Sequence, residues 1–229
     1  MRKVILGVLA TVAVVVGAAS IFGVAAARDN GRGTMYEVTI TNLTRGQIFS
    51  PALVATHHSR FDGLFELGSP ASDELAQIAE DAVSGPLEAL LMADDEVHDV
   101  QTLTGVNGVI LPGETATVVV ESASRARNIS LVGMLVTTND GFYAINNAPI
   151  PLFPNQAFYL SAYDAGSEAN NEDCAFIPGP PCGNPMVRDT AGAEGYVHVH
   201  AGVHGGADLD PAQHDWRNPV AKVTIRRTK

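Results

Sequence analysis

Positive charge is scarce in this chain. Lys and Arg number 14 against 25 Asp and Glu, a net charge of −11. Arg2 and Lys3 are the only charges in the first 27 residues, so the remainder carries −13. That balance excludes nucleic-acid binding, whose affinity rests on neutralising phosphates with Lys and Arg. It suits a protein that meets cations. Cysteine is nearly absent: Cys174 and Cys182 allow one disulfide and no more. Long hydrophobic runs are absent after the N-terminus, so no later segment is expected to span a membrane. There is no G-x-S-x-G elbow, P-loop, dinucleotide fingerprint or H-E-x-x-H, and no catalytic residue is assigned. Tryptophan occurs once, at Trp216.

What is present begins with a leader. Arg2-Lys3, an apolar stretch from Val4 and Ala25-Ala26-Ala27 before Arg28 have the layout of a signal peptide over residues 1–27. The apolar stretch exceeds the usual length of about 7–15 residues, so an uncleaved N-terminal anchor is the competing reading. The expected location is secreted, periplasmic or cell-surface. Residues 28–34 read as a polar, glycine-rich spacer. In an oxidising compartment Cys174 and Cys182 are expected to pair across a short loop and stiffen what precedes them. Asn42-Leu43-Thr44 and Asn128-Ile129-Ser130 match glycosylation sequons, but the leader is of bacterial type and neither is given a role.

Past the leader, period-two patterns dominate. Strands are expected at Tyr36–Ile40, Phe49–Thr56, Gly108–Leu111, Thr115–Glu121, Ile129–Thr138, Phe142–Ile145, Ala157–Leu160, Gly195–His200 and Ala221–Arg226. Ser69 to Glu74 carries helix-start chemistry, and Leu75, Ile78, Ala79, Ala82 and Val83 follow at helical spacing. Gly85-Pro86 is expected to stop this helix, with Leu87 to Met92 adding a further turn. Turns are expected at Asn139-Asp140-Gly141 and Asn146-Asn147. The sum is a mainly β chain: an antiparallel β-sandwich with one or two short helices inserted.

Two constellations stand out. Asp164, Ser167, Glu168, Asn170, Asn171, Glu172 and Asp173 crowd ten positions after a strand. Oxygen-bearing side chains on a loop suit Ca2+, which takes about 6–8 oxygen ligands. The bland alternative is a solvated acidic loop. Further on, His198, His200 and His204 form H-x-H-x3-H. On a strand, His198 and His200 share a face, a geometry that suits a transition metal. The bland alternative is a polar face hydrogen-bonded to nearby acids. Trp216 is expected over the core, with Arg217 paired to an acid. Were they exposed, Tyr143, Tyr163 or Trp216 could stack on sugars.

The order of three segments resembles the spondin domain, most closely its bacterial single-domain members. They are Leu135–Phe142, Ala162–Asn170 (with Tyr-Asp-Ala-Gly-Ser-Glu at 163–168) and His214–Ala221. The resemblance covers residues 35–229. It implies a sandwich similar to C2 domains, with calcium at one end. By that resemblance Asp164 and Glu168 are the acids of the motif. Asn146 falls where relatives carry Asp, and Asp140 is the neighbouring carboxylate. The implied function is an exported, calcium-binding module for adhesion or matrix interaction, not an enzyme. Its partner would be an extracellular or cell-surface protein or glycan, with no membrane contact after leader cleavage. A transition-metal enzyme or carrier using the three histidines, and a carbohydrate-binding module, are the alternatives.

Overall fold

An apolar run with no polar side makes a strand with two faces to cover. In the computed structural model, which describes residues 33–150 and 155–228, both faces are covered. Strand β2 (Ala52–His57) is buried at every position. Ala52 and Val54 face one hydrophobic cluster, and Leu53 and Ala55 face another. The central strand β5 (Asn128–Met134) divides the same way, with Ile129 and Leu131 on one side and Val132 on the other. The leader, the spacer to residue 32 and Pro151 and Pro154 lie outside the described residues.

The first cluster lies between two antiparallel sheets, making a β-sandwich. The smaller sheet has the order β4 (Thr115–Ser122), β1 (Thr34–Asn42), β10 (Ala221–Arg227), β7 (Asn155–Leu160). The larger has the order β3 (Val97–Leu103), β2, β5, β6 (Gly141–Pro149), β8 (Ala162–Asp164), β9 (His198–Val199). Alternation in β1 places Val38 and Ile40 in the core, as its period-two pattern requires. The second cluster seals the outer face of the larger sheet. Helix α1 (Asp73–Asp81) contributes Leu75 and Ile78, and α2 (Gly85–Ala93) contributes Leu87 and Leu91.

The helix start resolves to Ser72, whose side chain accepts the Leu75 N–H at 3.2 Å. Gly85-Pro86 differs from expectation. It opens α2 instead of stopping α1, because proline is well placed at a first helical position. The stop is Ala82, in the left-handed conformation at φ 57°. A short third helix, α3, spans Pro211–His214.

Three further expectations are corrected. Gly108–Leu111 forms only an isolated bridge, Ile110 to Phe49. Gly195–His200 reduces to the two residues of β9. Asn146-Asn147 does not turn. It lies within β6 at a register shift opposite β5, where the Asn147 N–H donates to Ser130 Oγ at 2.9 Å. Cys174 and Cys182 are bonded, with Cα atoms 4.8 Å apart. Among the described residues no helix is long and apolar enough to cross a membrane.

Asn42 ends β1 fully buried and ties three segments together. Its amide donates to Gln47 O at 2.8 Å and Ile110 O at 3.0 Å, and its oxygen accepts from the Thr44 N–H and hydroxyl. The sequon asparagine is therefore a structural one. Asn42→Ala strands several buried polar groups and is expected to cost roughly 2–4 kcal/mol in denaturant unfolding. A change below about 0.5 kcal/mol would show that water replaces the lost bonds.

Candidate metal site at the β6–β8–β9 end

Strand β8 is three residues long and runs between β6 and β9. Its last residue, Asp164, pairs with Gly141 on one side and His198 on the other. One register thus brings the 139–141 turn, the acidic loop and the histidine segment together. Two glycines permit the approach. A Cβ on Gly141 would lie 2.6 Å from Thr138 Oγ1 and 3.1 Å from the His200 ring. Gly166, at φ +65°, passes the Tyr196 carbonyl, 2.3 Å from where a Cβ would sit.

Asp164 is 1% exposed. Its Oδ1 accepts the Gly166 N–H at 2.7 Å, and its Oδ2 accepts the Asn170 amide at 2.6 Å. His198 Nε2 stands 3.4 Å from Oδ1, and His200 Nε2 stands 3.9 Å from Oδ2. The imidazoles differ in tautomer. His198 Nδ1 donates to the Val199 carbonyl at 3.1 Å, which in the neutral imidazole leaves the lone pair on Nε2. His200 Nδ1 accepts the Gly202 N–H at 3.0 Å, so its Nε2 carries the proton. Neither Nε2 has a hydrogen-bond partner, and neither does Asp140 Oδ1.

Burial raises the Asp164 carboxyl above its usual range, against hydrogen bonds from Asn170 and Gly166. Asp140 is pushed up to about 7, first by burial and then by the Asp164 charge. Three hydrogen bonds to its Oδ2, from the Ser167 N–H and hydroxyl and the Glu168 N–H, oppose that shift. His200 is pushed down to about 4, first by burial.

Asp164, His198 and Glu194 form a group whose ligand atoms all lie within 4.8 Å of one another. The structure therefore joins Asp164 from the acidic loop to His198 from the histidine segment, two residues the sequence placed in separate candidate sites. Glu194 was not anticipated. Its only sequence signal is its place four residues before His198, in a stretch that reads as loop.

The remaining candidates are dispersed. Asn146 lies five residues along β6 from Gly141, with its side chain bonded to Leu64 N and Phe65 O. It is not brought to Asp164. Glu168 turns away, its Oε1 accepting the Asp189 N–H at 2.9 Å. Burial and then the charges of Glu80 and Asp140 push it up to about 8. Arg188 closes that corner by pairing with Glu80 and Asp81. His204 points outward, with its side chain 67% exposed. Tyr143 and Trp216 are buried and Tyr163 is half-buried among Phe65 and Phe142, so they make no exposed stacking face. Arg217 pairs with Asp215, as expected.

The chain matches no model of a known protein family, and a search of curated proteins finds no match.

The raised acids fix a pH dependence. Asp140 and Glu168 hold protons in the folded state that they release when unfolded, so their contribution is lost as pH rises through about 7 and 8. The neutral imidazoles of His57 and His200 oppose this only below about 6.5, where the unfolded chain takes up their protons. With a chelator present, thermal melts are expected to show roughly 2 kcal/mol less stability at pH 8.5 than at pH 6.5. A flat profile would mean these acids are ionised in the fold.

Proposed function

We propose that this is an exported β-sandwich module that binds a divalent metal ion between Asp164, Glu194 and His198. The ion would order the end face that the module presents to an extracellular partner. One observation carries the reading. His198 Nε2, buried and without a hydrogen-bond partner, faces the buried Asp164 Oδ1 at 3.4 Å. Two acceptors do not sit face to face in a low-dielectric pocket unless a cation or proton lies between them. The geometry of His198 supports a metal. Its Nδ1–H is fixed on a backbone carbonyl, the arrangement that orients a histidine for coordination through Nε2.

An imidazole among the ligands favours a transition ion such as Zn2+ or Mn2+. Calcium, which the spondin resemblance implies, prefers an all-oxygen set. The disulfide supports an oxidising compartment. The adhesion or matrix role rests on the spondin resemblance alone.

Calorimetry and thermal shift with Zn2+, Mn2+ and Ca2+ test the reading. About one ion per chain is expected, raising stability by roughly 2.7 kcal/mol when free metal is a hundred times the dissociation constant. Asp164→Asn and His198→Gln are each expected to weaken Zn2+ or Mn2+ binding at least tenfold. Binding of Ca2+ that survives His198→Gln would return the site to the oxygen-only set. No response to any of the three ions would leave a protonated His198–Asp164 pair as the explanation of the geometry.

A further inference from the structure

Strand β7 (Asn155–Leu160) closes one side of the smaller sheet. It pairs with β10, and among the described residues no strand lies on its other side. The bonds of β10 fix which backbone groups of β7 are left open. Leu43 N–H donates to Val220 O and Thr228 N–H donates to Met35 O, so even-numbered positions along β10 turn their backbone groups toward β1. Ala221, Val223 and Ile225 therefore face β7, where their partners are Leu160, Phe158 and Gln156. Asn155, Ala157 and Tyr159 are left with N–H and C=O directed off the sheet. All three are exposed, Tyr159 by 63%. Proteins commonly blunt such an edge with proline, charge or a bulge. Asn-Gln-Ala-Phe-Tyr-Leu has no proline and no charge, and its register with β10 is unbroken. The opposite edge of the same sheet is guarded. There Asp99 of β3 accepts the Glu121 N–H at 2.7 Å, and the Thr56 hydroxyl donates to Glu121 O.

We propose that β7 pairs antiparallel with β7 of a second copy of this chain, about a two-fold axis through Ala157. The edge itself specifies that occupant. Its three open residues are spaced evenly about Ala157, so one axis satisfies them all. Ala157 meets its own copy and Asn155 meets the partner's Tyr159, closing about six backbone hydrogen bonds. Charge agrees. With no Asp, Glu, Lys or Arg in β7, two copies meet without like charges in contact, and a charged foreign strand finds nothing there to read. The nearest charges in the sheet are Lys222, beside Tyr159, and Arg226, beside Asn155. Lys222 then stands three strand spacings from the partner's Arg226, about 14 Å, beyond the Debye length of about 8 Å at physiological ionic strength. On the solvent face, Tyr159 lies against the partner's Asn155 as a cross-strand pair.

Sedimentation equilibrium of the full chain tests this. Six residues of edge make a small contact, so a dimer half-formed on the order of 10–100 μM is expected. Ala157→Pro is expected to weaken it roughly tenfold or more while leaving the thermal unfolding midpoint within a few degrees, because the N–H it removes faces solvent in the monomer. Association through the apolar leader would not respond to that change. Ala157→Cys tests the register. The axis sets its two Cα atoms about 5.5 Å apart, within disulfide reach, whereas Asn155→Cys lies roughly 14 Å from its copy. The native cysteines are already bonded to each other, so the added thiol is the free one. Under mild oxidation Ala157→Cys is expected to become a covalent dimer and Asn155→Cys to stay a monomer. A wild type still monomeric at about 1 mM overturns the inference. So does a dimer unchanged by Ala157→Pro, or cross-linking of Asn155→Cys as readily as Ala157→Cys.

Discussion

A carboxylate held out of water next to two imidazoles organises this end of the molecule. Asp164 ends a three-residue strand whose neighbours on both sides come from other parts of the chain. Removing a carboxylate from water costs several kcal/mol unless donors or a cation replace the solvent. The fold replaces only part of it, with one backbone N–H and one side-chain amide. Burial acts on the neighbouring groups in the same way. Asp140 and Asp164 rise, His200 falls, and His198 Nε2, His200 Nε2 and Asp140 Oδ1 lack hydrogen-bond partners.

Such a site needs a stiff frame, and the larger sheet supplies it. Because β2 and β5 are buried on both faces, neither can shift without disrupting two cores at once. The helices on the outer face are thus part of what holds the site, although none of their residues reaches Asp164. Beneath the acidic loop, the disulfide loop tucks against the first core. Ile177 is fully buried, and Gly179 passes so close to the Val136 carbonyl that a Cβ would lie 2.3 Å from it. The segment leading from the 164–173 loop is therefore anchored at its far end.

The fold was largely legible in the sequence because burial leaves a periodic trace. Alternation in β1, the unbroken apolar runs of β2 and β5, and the spacing of Leu75 and Ile78 each report a face that must be covered. Failures came where one local signal serves two structures. Gly85-Pro86 can end a helix or begin one, and only the packing of Leu87 and Leu91 against the sheet decides. Asn146-Asn147 has turn composition, yet a bulge in a paired strand uses the same residues. The site was legible in halves. Asp164 and His198 each carried a signal, but the pairing that joins them is a tertiary fact with no sequence period. Glu194, on a loop of irregular backbone, had no pattern to find it by.

The other acids at this end show that the unsatisfied atoms are not a general cost of a crowded loop. Glu172, 7% exposed and itself at a positive φ of 58°, receives three backbone N–H groups within 2.7 Å. One oxygen of Asp140 receives three donors as well. Where this chain buries an acid to hold a loop, it brings backbone donors to it. It brings none to the other oxygen of Asp140, none to His198 Nε2, and no acceptor to His200 Nε2. The same few residues are thus generous with hydrogen bonds at one point and withhold them at the next. A fold that can saturate Glu172 from a glycine-rich turn could have saturated these atoms too. Their remaining open, side by side around one carboxylate, is the physical reason to read this end as a place where something from outside completes the structure.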